Sequence, residues 1–235
     1  DFGTALMAQP MDHLTFGTAR GGEDVAAYFH TGGTTGVPKL VAHTHRGQLV
    51  AAMGGAAMCG YTEDDILTAT LPLFHVAGTI VAGLSALMAG SELLIMSPAG
   101  LRSPAIIEGF WRLVADHKAT LVGGVPTAIG AVLQVPVGDN DVSSIRAGLT
   151  GAALLPPAVG QRFREVTGRT LFEILGMTEA SGLISIDPLS GPGGVGSVGW
   201  PLPYTQVDVL QLQADGSLGA ACAPREIGVI AISGD

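Results

Sequence analysis

The densest concentration of chemistry-bearing residues is Thr31-Gly32-Gly33-Thr34-Thr35-Gly36-Val37-Pro38-Lys39, with three glycines, three threonines and a lysine. Glycines let a backbone turn with its N–H groups facing inward, which makes a nest for an anion. Threonine hydroxyls add donors, and a lysine adds a point charge suited to phosphate. Lys39 and Lys118 are the only lysines in the chain. On composition alone the stretch reads equally as a glycine-rich hairpin with an exposed lysine. It is not the phosphate loop of the common nucleoside triphosphatases, which needs Gly-Lys-Ser/Thr after four intervening residues. Here Pro38 precedes the lysine and Leu40 follows it.

Other residues invite chemistry more weakly. Thr178-Glu179 taken alone reads as a helix start, with Thr178 as cap and Glu179 as a first-turn carboxylate. His75, in Leu71-Pro72-Leu73-Phe74-His75-Val76-Ala77-Gly78, taken alone reads as a histidine satisfied in a core. His43 and His45 could present two imidazoles on one strand face, but no third ligand is evident nearby. Gly194-Val195-Gly196-Ser197-Val198-Gly199 spells a dinucleotide pattern, yet Trp200-Pro201-Leu202-Pro203 follows where a helix should open. No Gly-x-Ser-x-Gly elbow supports a serine hydrolase.

The Thr31–Lys39 stretch resembles the signature loop of the adenylate-forming, AMP-binding enzymes, which include acyl-CoA synthetases, peptide-synthetase adenylation domains and firefly-type luciferases. Gly32 stands where that loop usually has Ser, and Leu40 where it usually ends in Gly. The resemblance continues in order through Leu71–Gly78, Gly151-Ala152-Ala153, Gly176-Met177-Thr178-Glu179, Gly196–Pro201 and Gly228-Val229-Ile230. The match is to the central part of an acyl-CoA synthetase.

The resemblance implies a carboxylic acid activated by ATP as an acyl-adenylate, with transfer to a thiol, usually coenzyme A. It places Thr31, Gly32, Gly33, Thr34, Thr35, Gly36 and Lys39 on the β- and γ-phosphates. It places Thr178 on the α-phosphate and Glu179 on Mg²⁺, and it brings adenine and AMP against Gly151, Ala152 and Ala153 and the run Glu173, Ile174, Leu175, Gly176 and Met177. Leu175 replaces an aromatic residue that often stacks on adenine there. His75 falls on the substrate side. Amino-acid-activating relatives place an Asp in that neighbourhood, and Phe74–Ala77 has no acid to pair with an ammonium. A fatty or aryl acid is therefore expected. A catalytically silent nucleotide-binding or structural module on the same fold is the alternative.

The elements that would position these residues read as alternating strands and helices. Strands are expected at Asp24–His30, Lys39–His43, Ile66–Thr70, Leu93–Met96, Thr120–Val122, Ile145–Leu149 and Thr170–Ile174. Helices are expected at His45–Met58 behind a Thr44 cap, and at Ala77–Ala89, Pro104–His117, Pro126–Gln134 and Pro156–Val166. Short aliphatic strands without alternation imply an α/β fold, a mainly parallel sheet flanked by helices. Leu183–Ile186, Tyr204–Leu212 and Ile227–Ser233 read as strands between Gly/Pro turns, the start of a small β subdomain. The expected division is a core over 1–182 and a partial β subdomain over 183–235.

Composition narrows the partners. The 235 residues hold 11 Lys+Arg and 20 Asp+Glu, a net charge of −9 that argues against nucleic acid. With 47% apolar residues, disorder is not expected. Two cysteines far apart, Cys59 and Cys222, suggest a reducing, cytoplasmic setting. Ile66–Ser91 and Ala119–Gly138 are apolar enough to raise a membrane span, but internal Pro and Gly break both into buried strands and helices. The chain opens on Asp1 and stops after a strand-like run, and it lacks the family's ribose-binding Asp motif and catalytic-lysine domain. It is read as a fragment of a larger adenylate-forming domain, one expected not to make acyl-CoA alone.

Overall fold

The computed structural model describes all residues except 14–16, 18, 19, 32–38, 195 and 235. Helix α1 (Phe2–Met7) precedes a hairpin of β1 (Val25–His30) and β2 (Leu40–Thr44). The Thr31 N–H donates to the Lys39 carbonyl at 2.9 Å, so the hairpin closes the base of the threonine-glycine loop. Residues Gly32 to Gly36, assigned to phosphate by resemblance, lie outside the described residues. Thr44 then caps α2 (His45–Cys59), its side chain accepting the Gly47 N–H.

The core alternates strand and helix. After β3 (Ile66–Ala69) come a π-helical segment (Ala77–Leu84) running into α3 (Ser85–Ala89), then β4 (Glu92–Ile95) and α4 (Pro104–His117). Next are β5 (Leu121–Gly124), α5 (Pro126–Val132), β6 (Ala147–Thr150), α6 (Pro157–Thr167) and β7 (Leu171–Glu173). The five strands pair in the order β4-β3-β5-β6-β7, all parallel.

Alternation along each strand sends neighbours to opposite faces. Val122 and Leu171 pack with Phe110, Trp111, Ile129 and Phe163 from α4, α5 and α6. Leu121 and Phe172, one residue away on the same strands, pack with Leu67, Ala86 and Ala147 on the other face. With both faces covered, the strands carry no polar stripe, as the sequence implied.

At the amino end of the sheet, Arg146 donates to both oxygens of Asp65, at 2.7 and 2.8 Å. Burial alone would raise the Asp65 carboxyl, but Arg146, the Thr120 hydroxyl and the Thr62 N–H outweigh it and hold it below the usual carboxylate range.

One expectation changes. Ala77–Ala89 is not a single α-helix, because its first eight residues form π turns. Gly78 and Gly83 fall five apart, and an added Cβ on Gly83 would meet the Gly78 carbonyl oxygen at 3.1 Å. A π turn brings residues five apart together, and it puts Val76 with Val81 and Ala77 with Ala82 on one cavity wall.

The chain then forms β8 (Leu175–Met177), β9 (Gly182–Ile186) and β10 (Trp200–Pro201), an antiparallel sheet in the order β10-β9-β8. The strand at β10 stands where a dinucleotide motif would need a helix. Leu183, Ile186 and Leu202 bury against Cys59, which ties this sheet to α2. Residue 183 thus lies inside a strand packed on the core. The last antiparallel sheet joins β11 (Thr205–Leu212), β12 (Leu218–Ala221) and β13 (Val229–Gly234) in the order β12-β11-β13. Among the described residues no helix is long and apolar enough to cross a membrane.

Candidate active site

The topology reverses between β3 and β5. The chain leaves β3 toward β4 on one side and leaves β5 toward β6 on the other, and such switch points leave a crevice at the carboxyl ends of the strands. Register between β3 and β5 is made only at Leu67 and Leu121, near their amino ends. A cavity of about 490 Å³ lies along these strands, walled by Thr68 and Thr70 on one side and Val122, Gly123 and Gly124 on the other. Val76 and, from the π segment, Ala77, Val81 and Ala82 cover it, and Tyr61, Leu67 and Leu121 line its inner end. Among the described residues no Asp, Glu, Lys or Arg lines it.

Residues expected at the site converge here from distant parts of the chain. His75, Gly151, Ala152, Ile174, Gly176, Met177 and Thr178 all line this one cavity. Ala153, Glu173 and Leu175 do not. Glu173 is buried, and its Oε1 accepts the Leu155 N–H at 2.9 Å, so it ties down the end of the 151–155 turn. Gly151 has a packing reason of its own, because a Cβ there would come within 2.5 Å of Ile174 Cγ1. In the Gly-x-Thr-Glu motif, a Cβ on Gly176 would sit 2.4 Å from the Gly182 carbonyl oxygen, so glycine lets β8 and β9 close.

The His75 ring is fixed by its backbone. Nδ1 accepts the Ala77 N–H at 3.1 Å, which leaves Nε2 to carry the proton. Desolvation, then the nearby His30 and Arg102, lower the His75 pKa below its usual value. Near neutral pH the ring is therefore an uncharged donor.

Thr178–Ala180 form a single 3₁₀ turn whose cap position, Met177, makes no side-chain hydrogen bond. The alternative of Thr178 capping a helix is thus not what the chain adopts. Glu179 is exposed and, among the described residues, makes no hydrogen bond or ion pair. It lines a second cavity of about 480 Å³ with Thr44, Gly47 and Ser181. Lys39 is exposed at the root of β2. No group of three or more His, Cys, Asp or Glu among the described residues could hold a metal by itself.

Two features escaped the sequence reading. His43 does not share a strand face with His45, which begins α2; its Nε2 instead reaches the Thr178 carbonyl at 2.7 Å. Tyr61 had no signal beyond being one of three tyrosines, yet it closes the inner end of the cavity beside Cys59. Burial pushes the Cys59 thiol up to about 11, so it stays protonated and unreactive.

Comparison with known proteins agrees with this architecture. A sequence profile described as AMP-binding enzyme matches residues 9–235. The marinolic acid–CoA ligase of Pseudoalteromonas sp. is 36% identical over all of this chain, which spans 36% of that protein. A long-chain-fatty-acid–CoA ligase of Bacillus subtilis is 31% identical over 99% of the chain, which spans 40% of it. The crystal structure of ATP-bound MatB from Rhodopseudomonas palustris superposes with a TM-score of 0.79 at 28% identity, covering 92% of this chain and 40% of that one.

Proposed function

Because the chain belongs to the AMP-binding enzyme family, we propose that it forms the nucleotide- and acid-binding part of an acid–thiol ligase. In that reaction a carboxylate oxygen attacks the α-phosphorus of ATP and pyrophosphate leaves with the broken P–O bond. The sulfur of coenzyme A then attacks the acyl carbon of the adenylate, and AMP leaves. The observation that carries this reading is the convergence of His75, Gly151 and Thr178 on one uncharged cavity at the switch point.

The residues divide the work by chemistry. His75, held neutral with its proton on Nε2, orients a carboxylate without neutralising the charge that makes it nucleophilic. The Thr178 hydroxyl is the donor for the α-phosphate, and Lys39 with the Thr31–Thr35 hydroxyls takes the outer phosphates. Glu179 suits Mg²⁺, since this cation is usually bound by one or two carboxylates together with substrate phosphates, and here an exposed carboxylate has no partner among the described residues. When bound, the ion would neutralise phosphate charge during the displacement. An apolar wall without a fixed charge favours a fatty or aryl acid, because an ammonium or second carboxylate would be buried unpaired. Relatives named for marinolic and long-chain fatty acids point the same way.

The test is calorimetry of this chain with MgATP, followed by thermal shift with fatty, aryl and amino acids. Saturable MgATP binding, weakened at least about tenfold by Lys39→Ala, is the expected result. Absence of binding by the unaltered chain refutes the nucleotide reading. Equal stabilisation by amino acids and fatty acids refutes the acid class.

A further inference from the structure

We propose that His43 is a positioning residue that locks the Thr178–Glu179 turn to the strand leaving the threonine-glycine loop, a role that rests on the functional reading above. The two residues lie 135 positions apart and meet at 2.7 Å, His43 Nε2 to the Thr178 carbonyl oxygen. A carbonyl only accepts, so Nε2 carries the proton and donates. The carbonyl's other partner is the Ser181 N–H at 3.2 Å, which merely closes the turn. Among the described residues no other side chain hydrogen-bonds residues 178–180.

Packing alone does not explain an imidazole here. The ring is 2% exposed and lies against Phe29, with centroids 4.8 Å apart. A leucine or phenylalanine would fill that space without a polar atom. Instead Nδ1 is buried without a hydrogen-bond partner among the described residues, an arrangement that needs a compensating reason. The donor on the opposite ring nitrogen supplies one. It fixes the backbone of Thr178 against β2, whose first residue Leu40 follows Lys39 directly. The lysine on one side and the hydroxyl and carboxylate on the other are then held in one frame. A polyphosphate gripped at both ends needs that fixed separation.

His43→Leu removes the donor and keeps an apolar filler; His43→Gln retains a donor where Nε2 stood. Two readouts apply to this chain: MgATP affinity by calorimetry, and amide hydrogen exchange at residues 178–181. His43→Leu is expected to weaken MgATP about tenfold and to speed exchange at 178–181 by a similar factor, with β5 and β6 unaffected. His43→Gln should restore both to within about threefold. Unchanged exchange in His43→Leu overturns the proposal, as does an equal loss in both variants accompanied by faster exchange throughout the sheet. If the unaltered chain binds no MgATP, the functional reading falls, and the exchange comparison still decides whether His43 holds the turn.

Discussion

Glu179→Gln should separate folding from function more cleanly than any other single change in the site. Glu179 is exposed and sits in a 3₁₀ helix of only three residues, too short to build a dipole for its charge to serve. It accepts no hydrogen bond and forms no ion pair among the described residues. The isosteric amide therefore loses no contact, and such a surface change stays within about 0.5 kcal/mol. At roughly 2–4 °C per kcal/mol for a chain this long, the melting temperature should move by less than about 2 °C. The negative charge on the oxygen is what the amide lacks, and Mg²⁺ is bound through anionic carboxylate oxygens. The assay pairs scanning calorimetry with MgATP titrations at stepped Mg²⁺ concentrations. The expected result is an unchanged melting curve with a Mg²⁺ requirement raised at least about tenfold. A drop of more than about 5 °C with an unaltered Mg²⁺ dependence would show that Glu179 serves the fold.

Arg146→Met should strand a buried Asp65 carboxylate whose side chain is 5% exposed, at a cost of about 3–5 kcal/mol. The melting temperature should then fall by roughly 6–20 °C, and Asp65→Asn added to Arg146→Met should recover part of the loss. Because folding holds the Asp65 carboxyl below its usual value, its contribution is complete above the unfolded pKa of about 3.9 and is lost as pH falls through the lower folded value. Acid melts of the unaltered chain should therefore steepen below about pH 4, and the steepening should weaken in the Asp65→Asn variant; identical acid limbs would refute the assignment. Tyr61→Ala should open the inner end of the switch-point cavity. Thermal shift with unbranched acids of graded length should then move the best ligand to a longer chain, and an unchanged optimum would mean that Tyr61 does not set the limit.

What could be read from the sequence was local along the chain. The bounds of α4 at Pro104–His117 follow from a proline at the first turn and a left-handed Lys118 ending the helix, both set within a few residues. The threonine-glycine loop and the Gly-x-Thr-Glu run are contiguous words, and order alone was enough to point to the family. The strand β8 was missed because Leu175-Gly176-Met177 has no alternation to announce it. It is a strand because β9 returns beside it, and Gly176 permits the approach. Glu173 carried its resemblance by position, but its burial and its bond to Leu155 depend on a turn 18 residues earlier.

His43 shows the same limit from the opposite direction. Its chemistry was plain in the sequence, and proximity paired it with His45, two residues away. The fold gives it a partner 135 residues distant and turns His45 into the first residue of a helix. A side chain's type tells what bonds it can make, whereas the topology decides which atom stands opposite. The parallel sheet reverses direction between β3 and β5, and motif residues far apart in sequence are gathered at that reversal. The cavity therefore belongs to the strand order, which no single motif encodes. Its wall, without charge among the described residues, is the sum of small choices on β3, the π segment, β5, β6, β8 and β9 and the turns between them. Substitutions in the motifs should accordingly change how nucleotide is handled, while substitutions at Tyr61 or along the π segment should change which acid is accepted.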